Sequence, residues 1–141
     1  VAIRDGWLHS GDLGVTDADG RITFVDRLKD LIISGGINIS PVELEAAILA
    51  VDGVAEVAVI PAPDPRFGET PAAIVVPAAG CTGLTEAAVI AHCETVLADY
   101  KIPRYVVVRD EPLPRLPSGK IAKRMIRDEY HDIAERFARS R

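Results

Sequence analysis

Cysteine is scarce in this chain. Cys81 and Cys93 are two in 141 residues, with no second pair and no histidine at metal spacing. That excludes a disulfide framework, a structural zinc site and a C-x-x-C redox motif. Both thiols are expected to be reduced, Cys93 packed on a helix and Cys81 in a loop. Histidine is as sparse: His9, His92 and His131 are scattered. His92 reads as core-edge and the other two as exposed, so none is assigned acid–base work. No apolar run reaches the roughly 20 residues that span a bilayer, and no signal-peptide pattern is visible. A cytoplasmic protein without a transmembrane segment is expected. There is no excess of positive charge either. The net charge of −5 and sequence pI of about 5.2 argue against nucleic-acid binding.

What is present is an ordinary globular composition, 48% hydrophobic and 26% charged, enough for one core and not two. The chain opens on Val1 and runs into a loop-like Asp5-Gly6, so it is expected to be a piece of a longer protein. Residues 1–12 read as irregular. Val15-Thr16, the turn Asp17-Ala18-Asp19-Gly20 and Arg21–Val25 read as a β-hairpin. The Asp-x-Asp-Gly turn is not an EF-hand loop, because Leu28 stands where the twelfth-position glutamate is needed. Four charges in five residues follow, Asp26 to Asp30, then apolar Leu31-Ile32-Ile33 and the glycine turn Ser34-Gly35-Gly36. Ser40, Pro41 and Glu43 predict a helix from Pro41 to Ala50, opened by a capping box. A charged joint between two well-specified elements marks a domain boundary.

Downstream, Val54–Ile60 and the apolar Ala72–Val76 predict two strands, close enough to be antiparallel, the second of them central. Pro61–Thr70, with three prolines, predicts a loop. A helix capped by Thr85 should run to about Asp99 and present Ala88, Val89, His92, Val96 and Leu97 on one face. A strand over Tyr105–Arg109, a proline-rich loop over Pro112–Lys120 and a helix over Ile121–Arg136 complete the chain. In that last helix Ile121, Met125, Ile126, Tyr130 and Ile133 are expected to be apolar contacts. The fold class is α+β: a small mixed β-sheet flanked by helices, preceded by the hairpin. From Arg115 to Arg127 there are five cations and no acid, read either as a solvated helix face or as a phosphate-facing surface. Ser118-Gly119-Lys120 is not a Walker A loop. Pro114 replaces the required glycine and Ile121 the required Ser or Thr.

Three stretches, in order, carry a resemblance: Trp7-Leu8-His9-Ser10-Gly11-Asp12, the joint Asp26-Arg27-Leu28-Lys29-Asp30 with its glycine turn, and Pro114-Arg115-Leu116-Pro117-Ser118-Gly119-Lys120. Together they resemble the adenylate-forming superfamily of acyl-CoA synthetases, aryl-CoA ligases, peptide-synthetase adenylation domains and luciferases. The resemblance implies that residues 1–26 end a larger N-terminal domain, 27–30 form a hinge and 31–141 form a C-terminal lid domain. It implies an acid–CoA ligase that uses ATP, Mg²⁺ and CoA, with the Mg²⁺ site in the larger domain and no metal site in this chain. By matching positions, Lys120 is the catalytic lysine of adenylation, on a mobile loop. Asp12 and Arg27 bind nucleotide, and Lys29 is the hinge. Ser34, Gly35, Gly36 and Asn38 lie on the CoA path, with Lys101 and Arg104 near the CoA phosphates. Two rival readings remain: a peptide-synthetase adenylation domain that loads a carrier protein, and a non-catalytic α+β module that binds nucleotides or protein partners.

Overall fold

The computed structural model describes residues 3–139. Strand β1 (Ile3–Arg4) pairs with β2 (Trp7–Leu8), and β3 (Asp12–Thr16) with β4 (Ile22–Arg27), both antiparallel. The segment expected to be irregular therefore contains a short ladder. A 3-10 turn over Leu28–Asp30 leads into β5 (Ile32–Ser34), β6 (Ile37–Ile39) and helix α1 (Pro41–Leu49). Strands β7 (Val54–Asp64) and β8 (Gly68–Pro77), helix α2 (Glu86–Val96), strand β9 (Tyr105–Val108) and helices α3 (Lys123–Glu129) and α4 (Ile133–Arg139) follow.

One mixed sheet organises everything after the 3-10 turn, in the order β6-β5-β8-β7, with β9 also on β8. The apolar β8 is central as expected: it pairs antiparallel with β7 and parallel with β9. Both sheet faces are covered, so both parities of β7 and β8 are apolar. Val57, Val59, Ala73 and Val75 face α1 and α2 through Leu44, Ile48, Val89 and Cys93. Ala58, Ile60, Ile74 and Val76 face α3 and α4 through Ile126, Tyr130 and Ile133. The fold is α+β, a small mixed sheet between helices.

Five local expectations need correction. The proline segment is not a loop, for β7 runs on to Asp64 through Pro61 and Pro63. Val59 shows why: its N–H points off the sheet and donates to Glu45 Oε1 at 2.8 Å. Pro61 and Pro63 share that parity on an edge strand, so the ladder loses no donor. The capping box is absent, because Ser40 makes no side-chain cap bond and Glu43 instead holds Lys101 Nζ at 2.6 and 2.7 Å. In α2 the inward stripe is Val89 and Cys93, with Leu97 beyond it, while Val96 is exposed. Thr85 does cap α2, accepting from Ala88 N. The last helix breaks at Tyr130–Asp132, where Arg136 Nη2 donates to the Glu129 carbonyl. Met125 points to solvent.

Residues up to Leu28 have no core of their own. Among the described residues of that segment only Asp26 is buried. Trp7 is 75% and Ile22 77% exposed, and Leu8 and Phe24 are exposed with them.

Candidate functional site

The Lys120 loop is a braced turn. Gly119, at φ +82°, lets Gly119 N donate to the Leu116 carbonyl, and Leu116 N donates to the Lys120 carbonyl, both at 2.8 Å. An antiparallel bridge joins Arg115 to Ile121. Arg115 Nη1 reaches the Gly119 carbonyl at 2.9 Å and its Nη2 reaches Glu56 Oε1 at 2.8 Å. Glu56, on β7, also accepts from Leu113 N at 3.1 Å. The Arg115 hydrogen bond, with help from Leu113 N, holds the Glu56 carboxyl below its ordinary pKa. Lys120 is thus presented from a turn stapled to the sheet, its side chain exposed.

The five cations divide. Arg115 pairs with Glu56, Lys123 with Glu45 at 2.7 Å and Arg127 with Asp30 at 2.8 Å. Neutralising acids come from distant sequence, which a local count of charge does not find. Among the described residues, the side chains of Lys120 and Arg124 make no ion pair or hydrogen bond. Both face a cavity of about 520 Å³ that Arg27, Lys29 and Ser118 also line. The cavity therefore gathers three residues singled out in the sequence: Arg27, Lys29 and Lys120. Its surplus of unpaired cations suits an anionic ligand, phosphates above all.

Asp12 adjoins this site through Arg27. The two are register partners in β3 and β4, and Arg27 Nε forms an ion pair with Asp12 Oδ1 at 2.9 Å. Asp12 N is held by Ser10 Oγ at 3.2 Å. A second cavity, of about 400 Å³, runs past Ser10, Gly11, Arg27 and Lys29. Asp12 Oδ2 and the Arg27 terminal nitrogens remain for a polar ligand such as a ribose.

Lys29 lies where two sets of contacts meet. Leu28 N donates to the Gly11 carbonyl at 2.8 Å, which binds the chain before Lys29 to the hairpins. Arg127, on α3, donates to the Lys29 carbonyl at 3.4 Å and to Asp30 Oδ1 at 2.8 Å, which binds the chain after it to the sheet domain. The φ and ψ of Leu28 and Lys29 are the torsions between those anchors. Asp30 and Arg127 were missed in the sequence, where no local pattern links residues 97 apart.

The remaining residues gather only in part. Ser34, Gly35 and Arg104 line a separate cavity of about 280 Å³ with Phe67 and Tyr100. Gly36 and Asn38 are outside its lining; Asn38 is exposed on β6 opposite Ile33. Arg104 Nη1 donates to Asp64 Oδ2 at 2.6 Å. Asp64 Oδ1 accepts from Phe67 N and Arg66 N, both at 2.8 Å. Those backbone bonds, Phe67 first, then the arginine charges, hold its carboxyl low. Lys101, outside the cavity lining, is occupied by Glu43, whose hydrogen bond raises the lysine's pKa. Among the described residues no group of three His, Cys, Asp or Glu gathers as a metal site. No helix among them is long and apolar enough to cross a membrane.

Comparison with known proteins assigns the family. The family model for the AMP-binding enzyme C-terminal domain matches residues 43–120. A 3-[(3aS,4S,7aS)-7a-methyl-1,5-dioxo-octahydro-1H-inden-4-yl]propanoyl:CoA ligase from Rhodococcus jostii (strain RHA1) is 51% identical over 125 residues, covering 89% of this chain and 24% of its own length. Two solved structures of MatB from Rhodopseudomonas palustris each cover 94% of this chain and 26% of their own. The ATP-bound form has a TM-score of 0.85 at 41% identity and the apo form 0.74 at 42%. The chain spans about a quarter of the length of the relatives it matches. With its matched region reaching from the first turn of α1 to the Lys120 turn, the chain belongs to the AMP-binding enzyme C-terminal domain family.

Proposed function

We propose that this chain is the lid of an ATP-dependent carboxylic acid–CoA ligase. Residues 1–26 end a larger nucleotide-binding domain, 27–30 are the hinge and 31–141 are the lid. The observation that carries the reading is the cavity that Lys120 and Arg27 both line. The exposed apolar side chains of β1–β4 support it, since a larger body would cover them. So does the closer match to ATP-bound than to apo MatB.

The reaction has two halves. A carboxylate oxygen attacks the α-phosphorus of ATP, giving an acyl-adenylate and pyrophosphate. The CoA thiolate then displaces AMP from the acyl carbon to give the thioester. Lys120 serves the first half: its ammonium neutralises the charge growing on the carboxylate oxygen and α-phosphate as pyrophosphate leaves. Asp12 and Arg27 hold the ribose and α-phosphate side, with Asp12 orienting the guanidinium. Lys29 rotates the lid between the halves, and Ser34, Gly35, Gly36 and Asn38 border the thiol path, with Lys101 and Arg104 toward the CoA phosphates. Mg²⁺ would supply neutralising charge to the triphosphate when bound, and the residues that would hold it are assigned to the larger domain. The enzyme works in the cytoplasm on a small carboxylic acid.

CoA is favoured over a carrier protein as acceptor because the Rhodococcus relative is named a CoA ligase. The test is the full-length protein with ATP, Mg²⁺, a panel of carboxylic acids and CoA. AMP and acyl-CoA should form in equal amounts. AMP formation with thioester appearing only on a carrier protein would move the assignment to a peptide synthetase. No AMP with any acid would leave the non-catalytic module.

A further inference from the structure

Asp26 is the last residue before the hinge, and it is 2% exposed in a segment otherwise open to solvent. Its Oδ1 accepts from Arg27 N at 2.7 Å. Its Oδ2 accepts from Ser40 Oγ at 2.5 Å and from Val42 N at 3.4 Å. Ser40 is the N-cap of α1 yet makes no cap bond of its own. The carboxylate of Asp26 takes that place, satisfying a free backbone N–H at the positive end of the helix. The two donors to Oδ2, Ser40 and Val42, lie beyond the hinge, on the sheet domain, whereas Asp26 itself lies before it, on the hairpin.

We propose that Asp26 and Ser40 form an orientation latch, a pair of positioning residues that holds the lid in the arrangement where Lys120 faces Arg27. The inference rests on the ligase reading for its two half-reactions. The two anchors bracket the torsions of Leu28 and Lys29, which serve as the pivot. Rotation there carries Asp26, with the hairpin, away from Ser40 and the first turn of α1. A buried carboxylate cannot be left without partners, so the latch is either made or exchanged for water, and the two orientations become discrete. Because it closes in the arrangement with Lys120 at the cavity, it favours adenylation over thioester formation.

The experiment places spin labels at Asp19→Cys, on the β3–β4 turn, and Glu94→Cys, on α2, in full-length protein with Cys81→Ser. Cys93 is buried and stays silent. Distances are measured without nucleotide and with α,β-methylene-ATP and Mg²⁺. Hydrogen bonds to a charged group carry enough free energy that Ser40→Ala should shift the ratio of the two distance populations about ten-fold. Ser40→Thr, which keeps the hydroxyl, should restore it. Ser40→Ala should also lower the ratio of pyrophosphate exchange to thioester formation from synthetic acyl-adenylate by a similar factor. Unchanged distance populations in both conditions overturn the latch. So does a loss shared equally by the two half-reactions, which marks a merely structural role. Lys120→Ala in the same assays is the separate control: if it spares adenylation, the ligase reading fails, while the distance measurement still decides the latch.

Discussion

Replacing Gly35 and Gly36 one at a time by alanine separates a cost to folding from a cost to the thiol path. Both glycines sit at positive φ, +56° and +83°. A side chain there costs about 1–2 kcal/mol, a melting-point loss of roughly 4–8 °C for a domain of this size. The surroundings differ. A Cβ on Gly36 meets nothing within 4 Å, whereas one on Gly35 stands 3.2 Å from Phe67 Cδ1. Gly35 and Phe67 line the same 280 Å³ cavity, and Phe67 is 40% exposed, so the ring gives way by leaning across the opening. Thermal denaturation of the two variants should therefore agree within about 1 kcal/mol. Their thioester formation from synthetic acyl-adenylate should not agree. Displacing the reacting thiol by about 1 Å costs on the order of 10²-fold, expected for Gly35→Ala and not for Gly36→Ala. Equal thioester rates in the two variants would refute the reasoning, because the cavity would then not be the path.

Further outcomes are expected. Lys29→Pro fixes φ at the proposed pivot and should depress one half-reaction much more than the other in the full-length enzyme; equal losses would remove Lys29 as the hinge. The 141-residue chain alone should release no pyrophosphate from ATP with any carboxylic acid, measured by a coupled phosphate assay, since the proposal assigns the acyl pocket to the larger domain. Asp64 and Glu56 both have lowered carboxyl pKa values. Their contribution to stability is complete above the ordinary carboxylate values of about 3.9 and 4.3 and is lost as pH falls through the lower folded values. Urea titrations of Asp64→Asn should accordingly show a flatter loss of stability below about pH 4 than the parent chain.

Much of the fold was legible because each strand and helix announces itself locally. Ala72–Val76 is apolar on both parities, the signature of a strand covered on both faces, and it is the centre of the sheet. The failures arose where a distant partner overrode a local rule. Prolines at 61 and 63 read as a loop until Val59 and Glu45 reveal which way the edge N–H groups point. Ser40 and Glu43 have capping-box spacing, but Asp26 and Lys101 claim them. The helix expected from Ile121 breaks after Glu129, where Arg136 caps the exposed carbonyl. Within the site, motif matching located Lys120, Arg27 and Lys29, and folding brings those three to one cavity. The same matching proposed Lys101 and Arg104 for CoA, and the structure shows both tied to acids, Glu43 and Asp64. Which cations are free and which are spoken for is decided by pairs 58 and 40 residues apart, beyond the reach of a linear motif.

The central claim is that Lys120 acts as a charge in adenylation alone. The direct measurement is to make Lys120→Ala and Lys120→Gln in the full-length protein and assay the two half-reactions separately: pyrophosphate release with acid and ATP, and thioester formation from synthetic acyl-adenylate and CoA. Loss of one preorganised charge should slow adenylate formation by on the order of 10²–10³-fold, with Gln no better than Ala, and leave thioester formation nearly untouched. A fall of both half-reactions together would mean that Lys120 supports the fold or holds CoA, and would contradict the role assigned to it.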